Sequence, residues 1–202
     1  MAKKQLFTLC ILCFLTVALV CGCISDTEKK LEQATLLIES ADEKIAEVED
    51  LEWNRENLGF IKAQFAGAEV DLDEAVKVLY TIEPANDEEK RTIDACVVMC
   101  TAAKDLCNVV RTDLADGMEH MLKAEEYADR KDMTGAKSEL KLAKPEFVDT
   151  RIKLQQIQAH VNGISVHDLP AEERGMLTSF KMSIDEFLHM LTELVDTLNT
   201  VV

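Results

Sequence analysis

Apolar and small residues recur along most of the chain at spacings that alternate between three and four. The first run is Leu31, Ala34, Ile38, Ala41, Ile45 and Val48. The second is Leu58, Ile61, Phe65, Ala68, Leu72, Ala75, Leu79 and Ile82. The third is Ile93, Cys96, Cys100, Ala103, Cys107, Val110, Leu114, Gly117, Met121, Ala124 and Ala128. The fourth is Ala136, Leu140, Ala143, Phe147, Thr150, Leu154, Ile157, Val161 and Ile164, and the fifth is Leu177, Phe180, Ile184, Phe187, Leu191, Leu194, Leu198 and Val201. Each is a stripe with a period of about 3.5 residues, the pattern of helices packed nearly antiparallel with knobs in holes. No stretch shows the two-residue alternation of a strand bounded by turn residues.

Boundary signals agree with five helices. Ser25-x-x-Glu28 is a capping box ahead of the first run. The first helix should end near Leu51 to Trp53, with Asn54 capping the second. Glu83-Pro84 stops the second, because the residue before proline disfavours helical backbone. Asn86-x-x-Glu89 caps the third, Lys131-Asp132 breaks it, and Asp132 or Thr134 caps the fourth. Asn162-Gly163 closes the fourth, and Asp168 with Pro170 opens the fifth. Pro145 falls inside the fourth run, yet the stripe keeps its register across it, which favours one kinked helix over two meeting there.

The third helix is the longest, about 44 residues or about 66 Å. It carries a second apolar stripe, Ala95, Met99, Ala102, Leu106 and Val109. A helix apolar on more than one face belongs at the centre. The expected fold is therefore all-α: an elongated up-down antiparallel helical bundle of about five helices with a long central helix 3. Ala124 to Ala143 resembles one helix-turn-helix of the tetratricopeptide type. No 34-residue period repeats along the chain, which argues against a solenoid.

Composition narrows the function classes. The chain has 202 residues, 22 Lys+Arg against 38 Asp+Glu, and a net charge of −16. Nucleic acid is excluded as a partner, since phosphate contacts need clustered cations. Docking on anionic lipid through a basic patch is excluded for the same reason. Only 7 Gly and 3 Pro occur, which disfavours sandwiches, barrels and glycine-loop nucleotide folds. Apolar content of 48% is enough for a real core.

The N-terminus reads as a targeting segment. Lys3 and Lys4 precede an uncharged apolar stretch from Leu6 to Val20, then Val20-Cys21-Gly22-Cys23 and the polar Ser25-Asp26-Thr27-Glu28. This is the layout of a secretory signal. The Val-x-Gly-Cys ending resembles the lipobox of prokaryotic lipoproteins, and the whole resembles lipoproteins of archaea and bacteria whose mature part is all-helical. The resemblance covers about the first 25 residues. It implies that Cys23 is lipidated and becomes the first residue, giving a signal at 1–22, a lipid attachment and tether at 23–25, and a helical ectodomain at 26–202. Two other outcomes stay open: an uncleaved anchor, since Leu6 to Ile24 is about 19 residues and near the minimum for a span, or plain secretion. All three place the rest outside the cytoplasm. Cleavage before Cys23 removes Lys3, Lys4 and no acid, taking the net charge from −16 to −18.

Candidate chemistry is sparse. Cys10, Cys13 and Cys21 leave with the signal. Cys96, Cys100 and Cys107 all lie on one helix stripe, where cysteine behaves as a small buried hydrophobe. A disulfide within that helix is geometrically poor. Cys96 and Cys100, with Met99, form a candidate thiol site for a soft metal. Glu186-x-x-His189 matches one half of a di-iron carboxylate signature, but no second half occurs. Asp116 with His120, and Asp185 with His189, are spaced to clip a surface cation or to form solvated ion pairs. His160 and His167 have no partner in sequence. The acidic runs Glu47, Glu49, Asp50, Glu52 and Glu69, Asp71, Asp73, Glu74 lack the offsets of a calcium loop and read as solvated helix faces. Trp53 at the tip of the first hairpin is either a lid on the bundle end or an exposed contact point. There is no phosphate loop, nucleophile elbow, zinc-protease motif or haem-attachment motif, and no sequon in the mature chain.

These features lead to the expectation of a non-enzymatic, lipid-anchored protein at the cell membrane, facing outward, that binds or scaffolds. No cofactor is expected. The expected partners are the membrane, through the lipid, and a protein or a second copy of the chain. The alternative is an extracytoplasmic ligand- or metal-ion-binding receptor, with a pocket near Pro145.

Overall fold

The computed structural model describes residues 26–165, 169 and 171–202. Cys23, Ser25, His167, Asp168 and Pro170 lie outside them, so the lipid site, the first capping box and the opening of the last helix do too. The elements are α1 (Asp26–Glu49), α2 (Arg55–Tyr80), α3 (Asp87–Val109), a π-helical turn (Val110–Leu114), α4 (Ala115–Asp129), α5 (Met133–Asn162) and α6 (Ala171–Val201). The segments α3, π turn and α4 run on without a break, so the chain makes five rods and, among the described residues, no strand. The fold is an all-α bundle.

The caps are formed by the residues with the right chemistry. Asn54 Oδ1 accepts from the Asn57 amide at 2.9 Å, and Asn86 Oδ1 from the Glu89 amide at 2.9 Å. Glu89 reaches back to the Ala85 amide at 2.6 Å, one residue beyond the usual capping-box partner. At the α4–α5 corner Lys131 adopts φ 62°. The Lys131 amide bonds to the Ala128 carbonyl and the Asp132 amide to the Tyr127 carbonyl, both at 2.8 Å, the paired bonds of a Schellman end. Asp132 then caps α5 through the Gly135 amide at 2.9 Å. A Cβ at Gly135 would sit 2.5 Å from the Tyr127 ring, so glycine fits this corner without displacing the ring. This tight corner is the helix-turn-helix read at Ala124 to Ala143. Gly163 ends α5 at φ −68°, in ordinary helical backbone.

The bundle is antiparallel throughout. α1 meets α2 through Lys44–Asp71 and Gln64–Glu47. α2 meets the spine through Lys104–Asp73 at 3.0 Å, Arg111–Glu69 at 2.9 Å and Lys62–Asp116 at 2.7 Å. The spine meets α5 through Lys153–Asp113 at 2.7 Å and His120–Glu139 at 2.8 Å. Gln158 on α5 donates to Asp185 on α6. Lys181 of α6 donates to the Ile164 carbonyl just after α5, so in each set rising numbers on one side pair with falling numbers on the other.

The stripes become one continuous core. Both stripes of α3 are buried, Cys96, Cys100, Ala103 and Cys107 on one and Ala95, Met99, Ala102, Leu106 and Val109 on the other. That is the burial expected of a central helix. On α6 the stripe shifts at its end: Val195 is buried where Leu194 was expected, and Val201 is exposed. Trp53 is half-buried against the core, as a lid.

α5 runs through Pro145 as one helix, so two helices do not meet there. Two residues on, Phe147 is fully buried. Its ring fills the space left by Gly117, where a Cβ would lie 2.8 Å from Cε1. Replacing Gly117 with alanine sets a helix-propensity gain of about 1 kcal/mol against an overpacking cost of about 1–3 kcal/mol. Because Phe147 is fully buried, Gly117→Ala should lose roughly 1 kcal/mol net. Urea unfolding checks this through a lower midpoint at unchanged slope; a raised midpoint would contradict the ring contact.

Candidate functional site

The three cysteines of the spine are buried and form no disulfide. Burial raises the Cys100 thiol far above its ordinary value, with Cys96 and Asp42 adding to the rise. Burial also pushes Cys107 up to about 12, helped by Glu69 and Asp42. Metal ligation and nucleophilic attack both need the thiolate. Cys96 and Cys100 both lie buried in the core, beside Met99.

The acid–histidine pairs read along one helix turn out to be directed across helices. Asp116 bonds to Lys62 of α2, and His120 Nδ1 lies 2.8 Å from Glu139 of α5. Asp185 accepts from Gln158. His189, three-quarters exposed, faces Glu193 at 3.4 Å. Glu186 is exposed as well, so this pair points to solvent rather than into the core. Among the described residues no three His, Cys, Asp or Glu side chains converge on a metal position.

The acidic run on α2 departs from its reading as a solvated face. Glu69 holds Arg111 and Asn108, Asp71 holds Lys44, and Asp73 holds Lys104 and Lys77. These carboxylates tie α2 to α1 on one side and to α3 and the π turn on the other. Apart from Lys77, one turn along α2, the partners lie 27 to 42 residues away, so position along one helix gave no hint of them.

A groove of about 350 Å³ opens at one end of the bundle. The second and third turns of α3 supply Arg91, Asp94, Ala95 and Val98, the end of α5 supplies His160 and Gly163, and the α5–α6 connection supplies Ile164, Ser165 and Leu169. A second groove of about 360 Å³ lies on the outer face of α1 along Lys29, Glu32, Gln33, Leu36 and Leu37, with Glu74 of α2. Neither is lined by Pro145. Only the fold brings Arg91 and His160 together, so the sequence could show no more than an unpaired histidine.

No protein-family model, no curated protein and no solved structure matches this chain.

Two outcomes test this electrostatic picture. Hydrogen bonds from Lys104 and Lys77 hold the Asp73 carboxyl below its ordinary value, and the Lys123 hydrogen bond does the same for Glu119. A depressed carboxyl stabilises the fold above its unfolded pKa of about 4 and loses that contribution as pH falls through the lower folded value. Asp73→Asn should flatten the fall in thermal stability below about pH 4, and an unchanged acid limb would refute the role of Asp73. For the thiols, a disulfide-exchange reagent at neutral pH should find Cys96, Cys100 and Cys107 unreactive in the folded protein and titrate them all after unfolding. Rapid reaction of folded Cys107 would contradict its burial.

Proposed function

We propose that this protein is a membrane-anchored, extracytoplasmic lipoprotein whose helical body serves as a binding or scaffold module. One observation carries the reading: in the sequence, the basic start, the apolar stretch and the lipobox-like ending at Cys23 stand directly ahead of the helical bundle. A lipid on Cys23 would hold the bundle at the bilayer surface. Among the described residues no helix is long and apolar enough to cross a membrane, so in this reading the lipid supplies the hold. A single chain gives marginal anchoring and two give stable anchoring.

The reading is of a binding module because the polar side chains are engaged in holding helices together. His120 and Glu139 join α4 to α5, and the α2 acids join three rods. A second reading, an extracytoplasmic receptor for a small ligand, is favoured by the groove between α3 and α5.

The anchor is tested by expressing Cys23→Ala beside the wild-type chain and fractionating the cells. The lipoprotein reading expects the wild type in the membrane fraction with an acyl mass on Cys23, and the variant unacylated and uncleaved. A wild-type chain that keeps residues 1–22 and carries no lipid would instead establish Leu6 to Ile24 as the anchor.

A further inference from the structure

We propose that α1 of one chain docks antiparallel on α5 of a second copy, so that two rods lie side by side and point the same way. This rests on the scaffold reading and names its partner. α5 is the one rod with more cations than anions, five Lys+Arg against three Asp+Glu. α1 holds three Lys+Arg against eight Asp+Glu. Lys137, Lys141, Lys144, Val148, Arg151 and Gln155 form one row along α5 at helical spacing, with no acid in it, and each is exposed or half-buried. Glu39, Glu43, Ala46 and Asp50 form a row along α1 and the residue after it, and all four are exposed. Run in opposite directions, the rows coincide position for position: Glu39 with Gln155, Glu43 with Arg151, Ala46 with Val148, and Asp50 with Lys144.

These charges are unspent within the chain. The side chains of Glu39, Glu43, Asp50, Lys144 and Arg151 make no hydrogen bond or ion pair with any described residue. Elsewhere on α5, Glu139 is held by His120 and Lys153 by Asp113. The acids whose side chains are not described, Asp168, Glu172 and Glu173, fall in the sequence between the end of α5 and the first turn of α6, at least about three turns past Arg151. Before Asp26 the only charged residues are Lys3 and Lys4, which leave with the signal in the lipoprotein reading.

The two rows also sit at one height. Glu47 meets Gln64, Lys62 on the same helix as Gln64 meets Asp116, and the spine there meets α5 at Lys153 and Glu139. The end of α1 is therefore level with Lys144 and Arg151 of α5. Within the chain α1 and α5 run in opposite directions, so a parallel neighbour presents its α1 antiparallel to α5. Two lipids in one bilayer impose that same parallel arrangement. At about 0.15 M salt, charges more than about 8 Å apart are largely screened. The facing pairs then outweigh the distant excess of −16 on each chain.

The test mixes unlabelled and heavy-nitrogen-labelled full chains in phosphatidylcholine vesicles and treats them with a carbodiimide, which joins a carboxylate to an amine in contact. Mass spectrometry should find Asp50 joined to Lys144 in peptide pairs that carry one label each. Arg151→Glu sets two acids face to face and should cut that yield about tenfold. Glu43→Lys sets two cations face to face and should cut it as much. Both changes in one chain should restore the yield, a recovery that misfolding cannot mimic. Links confined to peptides of one label, or a double variant no better than the single ones, would overturn the pairing. No mixed link in phosphatidylcholine, with Arg151-dependent binding to phosphatidylglycerol vesicles, would overturn it in favour of a lipid surface. An acylated wild type without the mixed link would sink this inference and spare the anchor; a mixed link between chains without lipid would do the reverse.

Discussion

Everything in this fold follows from one helix with two apolar faces. The spine presents Cys96, Cys100, Ala103 and Cys107 on one side and Ala95, Met99, Ala102, Leu106 and Val109 on the other. Leaving the second stripe in water would expose Met99, Leu106 and Val109, each worth about 1.5–3 kcal/mol when buried, and leaving the first would expose three thiols and an alanine. The spine therefore needs neighbours on both sides, and α2 and α5 take those places. α1 and α6 each have a single stripe. They complete the same core, covering what α2 and α5 leave open.

Apolar stripes explain association but not register. A heptad pattern looks much the same after a slide of seven residues, so polar contacts have to choose among the alternatives. Here the choice is made by two acids and a lysine on α2. Asp73, Glu69 and Lys62 meet Lys104, Arg111 and Asp116 in order along the spine. A slide by one heptad would separate all three pairs at once. Each pair alone is worth about 0–1 kcal/mol at such exposure, so their value lies in discrimination rather than in total stability. They also ease the crowding of negative charge that a −16 chain brings to closely packed helices.

The features legible in the sequence are those set by short-range periodicity. The five stripes, the doubly apolar spine, and the Asn54, Asn86 and Asp132 caps depend on residues within a turn or two of one another. The cross-helix chemistry was not legible, because it depends on which rods become neighbours. Asp116 and His120 stand four apart, as an ion pair would, yet each finds a better partner on a different helix. The acids of α2 looked solvated for the same reason. The groove joins residues of α3 and α5 that lie more than sixty positions apart, and no local pattern marks it. The shift from Leu194 to Val195 is smaller in kind: a heptad reading carried one step too far near a helix end.

The π turn at Val110–Leu114 is the feature that neither stripe nor cap announces. The stripe passes through it with ordinary spacing, Cys107, Val110, Leu114, Gly117, so the extra residue leaves no mark on the pattern. It stands where the surroundings of the spine change. Before it, the helix is buried on two faces; after it, only Ala115, Gly117 and Ala124 of α4 are buried. Small residues let α5 come close, with Ala136, Ala143 and Phe147 on the facing helix. Seating Phe147 over Gly117 fixes the rotation of α4, whereas the two stripes of α3 fix the rotation of the segment before it. An unbroken α-helix turns about 100° per residue and offers no freedom between two such demands. One added residue in a wide turn supplies the adjustment. Arg111–Glu69 and Asp113–Lys153 then fasten that turn to α2 on one side and α5 on the other.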